Sequence, residues 1–390
     1  MTPEEHPIRS AAAILSASLA TAAAAQTPGF WLVGMPPEAT GGGVSSLSQD
    51  GSVAGGATGW QTTSLPIVQY APGYTWTAAG GRHDFGLEPG MPQGSAVQAM
   101  NSDGQVLVGW MHGGGPPRRS FRRVGAGPLQ DLGTAGWANS EALGVSGDGG
   151  TVVGWNHGGS GFGQAFRWTE TGGMQPLGYL RPNGSRSQAF GISRDGTTIV
   201  GESQSDGFSG PVEAFVWREG TGMQALPGLP GAWVNENSAR ATNTDGSVIV
   251  GMGAAISRTH AIRWVNGVPE DLGLLPGYLD SVAWAMNDDG SVIAGACTGV
   301  PTTTGFVWTE VSGLQSISAY LAAHGVALPP NYLLQDVYAV SGDGLTFGGA
   351  ALNLSTNQPE GFVATIPAPS ALIVVSVPAL VLAKRRRRGG

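Results

Sequence analysis

The segment Ser140–Gly154 reads SEALGVSGDGGTVVG, and its second half is one copy of a pattern that the chain contains seven times. Each copy has Ser or Asn, any residue, Asp and Gly, then a short apolar run with a glycine six residues after the aspartate. Periods of about 20 to 50 residues are typical of closed or stacked arrays of similar units. The aspartates, 44 to 54 residues apart, are Asp50, Asp103, Asp148, Asp195, Asp245, Asp289 and Asp343. The later glycines are Gly56, Gly109, Gly154, Gly201, Gly251, Gly295 and Gly349.

Each repeated Asp-Gly pair indicates a hairpin turn between two strands, because glycine adopts positive φ without steric cost. The Ser or Asn two residues earlier can hydrogen-bond to the local backbone and fix that turn. The seven aspartates are therefore predicted to be structural turn residues. The chain contains 65 glycines and is 41% hydrophobic, which favours a turn-rich all-β protein with a buried core.

Each repeat is interpreted as four strands, a to d. Strand a carries small residues such as Ala142 and Gly144, and strand c carries an aromatic or apolar pair such as Phe166 and Trp168 that is predicted to be core. Seven radial four-stranded sheets make an all-β, seven-bladed β-propeller. The alternative is an open solenoid, which leaves both terminal units unpaired.

Two segments outside the repeats complete this prediction. The seventh unit has no strand d, and the strand-like segment Phe30–Met35 is predicted to supply it and close the ring. A short helix is predicted over Ser318–Gly325, with Ser318 as its cap, because good helix formers there end at a glycine.

The two ends are predicted to be targeting segments flanking one folded domain, residues 26–366. Residues 1–25 combine Arg9 with the apolar stretch Ala11–Ala25 and fit a signal peptide. The apolar segment 371–383 precedes a basic tail, and its length is marginal for a bilayer span, which needs about 20 residues. Contact with the membrane is expected only through this C-terminal segment, as a transient stop or a permanent anchor.

Charge and cysteine content narrow the function classes. Residues 26–383 contain 13 Arg, no Lys and 25 acidic residues, a net charge of about −12, which argues against nucleic-acid binding. Cys297 is the only cysteine, so no intrachain disulfide forms, and a buried strand position is favoured for it over a nucleophile.

Two resemblances to known families follow from quoted residues. Ala165-Phe-Arg-Trp168 with Gly173-Met-Gln-Pro-Leu-Gly178 resembles the HAF family of extracellular repeats, which carries no assigned chemistry. Residues 367–390 resemble a PEP-CTERM sorting signal, with Ala368 where that family has glutamate. The second resemblance implies recognition by an exosortase-type membrane protease, removal of the tail and delivery to the bacterial surface or extracellular matrix.

A binding face is predicted where the b–c and d–a loops lie, because these loops vary in length and carry aromatic and basic residues. The alternative is that these side chains only pack against neighbouring loops. The predicted binding face contains Trp60, Tyr70, Arg118, Arg119, Trp137, Trp155, Trp233 and Tyr278. The favoured role is a non-enzymatic binding or structural protein that recognises polysaccharide or a surface protein.

The enzymatic alternative is a hydrolase or lyase acting on polysaccharide, which requires converging carboxylates. No catalytic motif and no cofactor are predicted, although calcium stays open because acidic side chains and loop carbonyls are available. The carboxylates considered for catalysis are Glu202, Asp206, Glu213, Glu236 and Asp280.

Overall fold

The computed structural model describes residues 27–36, 39, 41–58, 72–85, 94–112, 118–158, 162–206, 210–232, 234, 236–299 and 302–369. The predicted signal peptide, the apolar segment 371–383 and the basic tail lie outside these residues. Within the described part of the chain, no helix is both long and apolar enough to cross a bilayer.

The described residues form antiparallel sheets of four strands, with one α-helix. We call each four-stranded unit a blade, and seven are present in this part of the chain; blades 3 and 4 share one parallel bridge, Gly163 to Arg186. Strands a to d of blade 1 are β2 Gly42–Leu47, β3 Ala54–Thr58, β4 Tyr74–Thr77 and β5 Gly81–Asp84. Those of blade 2 are β6 Ser95–Met100, β7 Val106–His112, β8 Arg118–Val124 and β9 Gln130–Asp131. Those of blade 3 are β10 Asn139–Val145, β11 Thr151–His157, β12 Gly163–Thr169 and β13 Gly173–Gly178.

The remaining blades follow the same order, and the first strand of the chain belongs to the last blade. Blade 4 is β14 Arg186–Ile192, β15 Thr198–Gln204, β16 Val212–Arg218 and β17 Gly222–Ala225. Blade 5 is β18 Asn237–Thr242, β19 Val248–Ala254, β20 Thr259–Val265 and β21 Val268–Gly273. Blade 6 is β22 Asp280–Met286, β23 Val292–Thr298, β24 Thr303–Thr309 and β25 Gly313–Ser316. Blade 7 is β26 Tyr332–Val340, β27 Thr346–Asn353, β28 Gln358–Thr365 and β1 Gly29–Leu32.

Strand β1 is the outer strand of blade 7, as the sequence predicted, although it begins at Gly29 and ends at Leu32. It pairs antiparallel with β28, with Trp31 opposite Val363. The Phe30 ring stacks on Phe362 at a centroid distance of 5.7 Å, and Trp31 packs 6.0 Å from Trp76. The two ends of the propeller domain are thus joined in one sheet.

A ring of backbone hydrogen bonds joins the blades at the end of the molecule where the Asp-Gly turns lie, which we call the turn end. Each link runs from the residue before an aspartate, or in blade 4 from the aspartate itself, to the corresponding residue of the next blade. The seven donor–acceptor distances are 2.7 to 3.3 Å, for Gln49 to Ser102, Ser102 to Gly147, Gly147 to Arg194, Asp195 to Thr244, Thr244 to Asp288, Asp288 to Gly342 and Gly342 to Gln49. Because the last link returns to the first residue, the blades form a closed ring and the open solenoid is excluded.

The core lies between adjacent blades, where strand-c side chains pack against the neighbouring sheet. Phe121, Phe166, Phe215, Phe306 and Phe362 are fully buried. Burying a large apolar side chain contributes about 1.5–3 kcal/mol.

Helix α1, Ile317–Ala323, follows blade 6 and packs Ile317, Tyr320 and Leu321 into the core shared with blade 7. The helix was predicted, but its cap is Ser316 rather than Ser318. The Ser316 hydroxyl accepts a hydrogen bond from the Ala319 N–H, which places Ser318 inside the first turn.

Candidate binding site in the central channel

The repeated aspartates hold the turns through the same contacts in every blade. In blade 3 the Asp148 carboxylate accepts the Gly150 N–H at 2.8 Å, and the Ser146 hydroxyl accepts the Thr151 N–H at 2.9 Å. Hydrogen bonds from Ser146 and Gly150 outweigh burial and lower the pKa of Asp148. Only the glycine of the pair has positive φ, 73° at Gly149, so the turn is a four-residue loop rather than a two-residue hairpin turn.

Each inner strand a contains a β-bulge opposite the repeated glycine of strand b. In blade 3 the pairing shifts between Ala142 and Gly144, so Leu143 has no partner on β11. The bulge brings the Glu141 carbonyl so close to Gly154 that a Cβ there would lie 1.9 Å from the oxygen. The corresponding distance is 1.9 to 2.1 Å at all seven repeated glycines. A bulge re-aims side chains locally, and here it frees one residue per blade from the regular alternation.

The seven bulged residues line one cavity of about 250 Å³ in the centre of the ring, the central cavity. Each lies five residues before a repeated aspartate, and their chemistry differs from blade to blade. They are Ser45, Gln98, Leu143, Phe190, Arg240, Trp284 and Tyr338. The small residues that flank these positions indicated strand a, but the variable residue between them, which was the available signal, was not predicted to line a cavity.

The turn end of the channel is bridged by side chains. Arg194 forms an ion pair with Asp288, and Gln49 donates to the same carboxylate at 2.6 Å. Arg194 also donates to the Ser102 hydroxyl at 3.2 Å. These contacts join blades that are not neighbours in the ring, so they cross the channel. We call Gln49, Ser102, Arg194 and Asp288 the latch; Asp288 is thus engaged separately from its neighbour Asp289, which holds a turn.

A second cavity opens at the other end of the channel, where the b–c and d–a loops lie and which we call the loop end. This blade 4–5 pocket has a volume of about 350 Å³. Its lining residues are Arg186, Glu202, Val212, Glu236, Asn237, Ser238, Arg240, Met252, Gly253, Ala254, Arg258 and Thr259. Because Arg240 lines both cavities, they meet at this side chain.

Arg240 is held mainly by aromatic rings. Its guanidinium carbon lies 4.0 Å from the Phe190 ring centroid and 5.4 Å from that of Trp284, within the range of cation–π attraction. Burial lowers the pKa of Arg240; the Glu202 carboxylate opposes this effect and the Arg186 charge adds to it. Burial raises the pKa of Asp336, although the interactions with Tyr338 and Trp284 oppose this effect.

Two of the residues predicted for the binding face lie in one cluster at the loop end. Arg118 donates to the Glu141 carboxylate at 2.6 Å, and the His157 ring stacks on Trp155 at 4.0 Å and lies 3.6 Å from the same carboxylate. Burial opposes ionisation of Glu141, but the interactions with His157 and Arg118 outweigh it and lower the pKa. Three other residues of the predicted face, Trp60, Tyr70 and Trp233, lie outside the described residues.

The other described members of the predicted face are separated from this cluster. Arg119 pairs with Asp131 at 3.2 Å, between strands c and d of blade 2. Tyr278 is half-buried and packs so closely on Gly299 that a Cβ there would lie 3.1 Å from its ring. Trp137 is half-buried in the loop after blade 2.

The carboxylates considered for catalysis are mostly engaged in local contacts. Glu213 receives two hydrogen bonds from Arg181, at 2.7 and 3.1 Å, and Asp280 accepts the Thr259 N–H at 2.9 Å. Glu202 lies 3.0 Å from Arg186. In the described residues no group of three or more His, Cys, Asp or Glu side chains is arranged to hold a metal ion. Cys297 is fully buried on β23, and burial raises the pKa of its thiol.

No protein-family model and no curated protein matches this sequence. An oligogalacturonate lyase solved in complex with manganese is 13% identical, with a TM-score of 0.55 over 87% of this chain and 93% of that chain. The β-propeller domain of the Trilobed protease from Pyrococcus furiosus is 8% identical, with a TM-score of 0.55 over 84% and 96%. An oligogalacturonate lyase from Vibrio parahaemolyticus is 11% identical, with a TM-score of 0.53 over 87% and 93%.

At these identities the similarity shows the β-propeller fold and no shared activity. The Pyrococcus propeller is described as having an open velcro topology, whereas in this chain β1 and β28 close the seventh blade.

Proposed function

We propose that this chain is an exported, non-enzymatic β-propeller of the bacterial cell surface or extracellular matrix, and that it binds polysaccharide at the loop end of its central channel. The observation that carries the proposal is the asymmetry of the channel. The latch crosses the turn end, whereas the blade 4–5 pocket opens at the loop end and meets the central cavity at Arg240.

The residues at this junction favour a sugar over a protein surface as ligand. Phe190, Trp284 and Tyr338 offer aromatic surfaces, on which the C–H faces of a sugar ring pack. Arg186 and Arg240 offer hydrogen-bond donors for its oxygen atoms. Small-molecule sites typically combine apolar walls with a few placed polar groups.

The sequence supports the proposed location. The leader over residues 1–25, the acidic folded part and the PEP-CTERM-like segment 367–390 together indicate export followed by sorting. In this proposal an exosortase-type protease is the partner that recognises and removes the tail, and the HAF-like repeats form the extracellular part.

Binding is tested by native gel retardation of the full-length chain in gels containing neutral or acidic polysaccharides. We expect retardation by at least one polysaccharide, and a loss of at least tenfold in affinity for Tyr338→Ala, whose side chain lines the central cavity and is 37% exposed. Val311→Ala, at a 99% exposed position outside both cavities, is the control. Retardation by no polysaccharide, with the chain folded, would overturn the proposed function.

Sorting is tested by fractionating bacteria that express the full chain or a chain lacking residues 367–390. We expect the full chain in the surface or matrix fraction and the shortened chain released to the medium. Equal distribution of both chains would contradict the sorting proposal.

A further inference from the structure

The blade 4–5 pocket includes a repeated position whose residue differs from blade to blade. The residue after the strand-b glycine is Trp110 in blade 2, Trp155 in blade 3 and Glu202 in blade 4, and it is Ala or Met in the other four blades. The Trp155 ring lies directly over Gly163, where a Cβ would be 2.7 Å from it. Glu202 has no ring at this position, and it lines the pocket.

The guanidinium of Arg240 presents hydrogen-bond donors to this pocket. Its ion-pair contact among the described residues is Glu202, and the 3.7 Å between their atoms is longer than a hydrogen bond. Its Nε is buried without a hydrogen-bond partner in that part of the chain, and the same holds for the hydroxyl of Ser238, which also lines the pocket. A buried donor without a partner costs about 1–3 kcal/mol. The two aromatic rings fix the Arg240 side chain, so its donors are already oriented for an acceptor.

The charges around Arg240 match one negative charge on a ligand. Arg186 and Arg240 face the single carboxylate of Glu202, which leaves one positive charge in the pocket. Glu236 and Arg258, both exposed at the rim, offset each other. A guanidinium binds a carboxylate through two parallel hydrogen bonds, whereas a doubly charged phosphate group would exceed the available charge.

We propose that the blade 4–5 pocket binds the carboxylate of an acidic sugar residue, with Arg240 as the principal donor and Ser238 as a second. This inference rests on the proposed polysaccharide binding and names the class of sugar. The pocket should prefer an acidic sugar to a neutral one, because a neutral sugar leaves the Arg240 donors without a carboxylate acceptor.

The test is isothermal titration of the full-length chain with D-glucuronate, D-glucose and glutarate. We expect glucuronate to bind at least tenfold more tightly than glucose, which lacks the carboxylate, and than glutarate, which lacks the sugar ring. Arg240→Lys keeps the charge but loses the fork of donors, and should weaken glucuronate binding at least tenfold. Arg263→Lys, which changes an arginine paired with Glu270 outside the pocket, is the matched control. Unfolding midpoints of all variants check that they are folded.

Two further probes separate this inference from the proposed function. If alginate and neutral dextran both bind and Arg240→Lys changes neither affinity, the carboxylate site is wrong and the proposed function stands. If glucuronate binds through Arg240 but no polymer binds, the site stands and the proposed function is wrong. Equal binding of glutarate and glucuronate would overturn the assignment of a sugar ligand.

Discussion

At the scale of single residues, glycine is required at the repeated position of strand b because the backbone of strand a lies too close for a side chain, and not because the position needs a positive φ. Gly154 lies opposite the Glu141 carbonyl, which the bulge in strand a brings so close that no side chain fits on strand b at this point. The sequence showed that this glycine recurs, but the reason depends on a bulge in another strand. The turn glycine Gly149 differs, because its requirement is the positive φ that the sequence predicted.

A pair of substitutions in one hairpin tests this distinction. Gly154→Ala places a Cβ 1.9 Å from a carbonyl oxygen, so we expect a loss of more than about 4 kcal/mol in the free energy of unfolding, or failure to fold. Gly150→Ser should be neutral or stabilise by about 0.5–1 kcal/mol, because Ser52 fills the equivalent position in blade 1 and donates to Asp50 at 2.7 Å. Urea unfolding measures both. Similar destabilisation by the two variants would contradict the bulge explanation.

At the scale of elements, strand β1 decides whether blade 7 has its fourth strand. The segment was readable in the sequence as a strand-like piece assigned to no repeat, and the missing strand d of the seventh repeat indicated its partner. The bounds were less readable: the segment was predicted to end at Met35, whereas the strand ends at Leu32 and Val33 makes only one further backbone contact, to Gly361.

Phe30→Ala tests how much β1 contributes to stability. Phe30 is half-buried and stacks on Phe362, so we expect the free energy of unfolding to fall by about 2 to 3 kcal/mol, somewhat below the cost at a fully buried site. Val311→Ala is the control, because Val311 is 99% exposed, and should change stability by less than about 0.5 kcal/mol. A change in the Phe30 variant no larger than in the control would show that β1 is not needed to hold the seventh blade.

At the scale of the whole molecule, the latch couples blades that share no sheet. Arg194 of blade 4 reaches Asp288 of blade 6, which also binds Gln49 of blade 1. The contacts pack over Gly342, where a Cβ would lie 2.5 Å from the Asp288 carboxylate. These four positions occupy the variable site of the turn pattern and showed no common chemistry in the sequence, so only the closed ring reveals that they meet.

A double-mutant cycle with Arg194→Met and Asp288→Asn measures the latch. Both side chains are about one quarter exposed, so we expect a coupling energy of about 0.5–1.5 kcal/mol in the free energy of unfolding, decreasing at high salt. Arg263→Met with Glu270→Gln, a pair within one blade, is the reference cycle. Additive effects for the latch pair would show that the ion pair does not couple the two blades.

The sequence by itself determined the repeat, the turn chemistry, the strand order within each blade and the pairing of the first strand with the last repeat. These features depend on residues close in the chain or on a strict count, which a sequence displays directly. Only the tertiary structure decided which side chains line the central cavity and the blade 4–5 pocket. The reason is physical: a bulge changes the direction of one side chain per blade, and ring closure brings together residues such as Phe190, Arg240 and Trp284, which lie about 50 residues apart and share no local pattern.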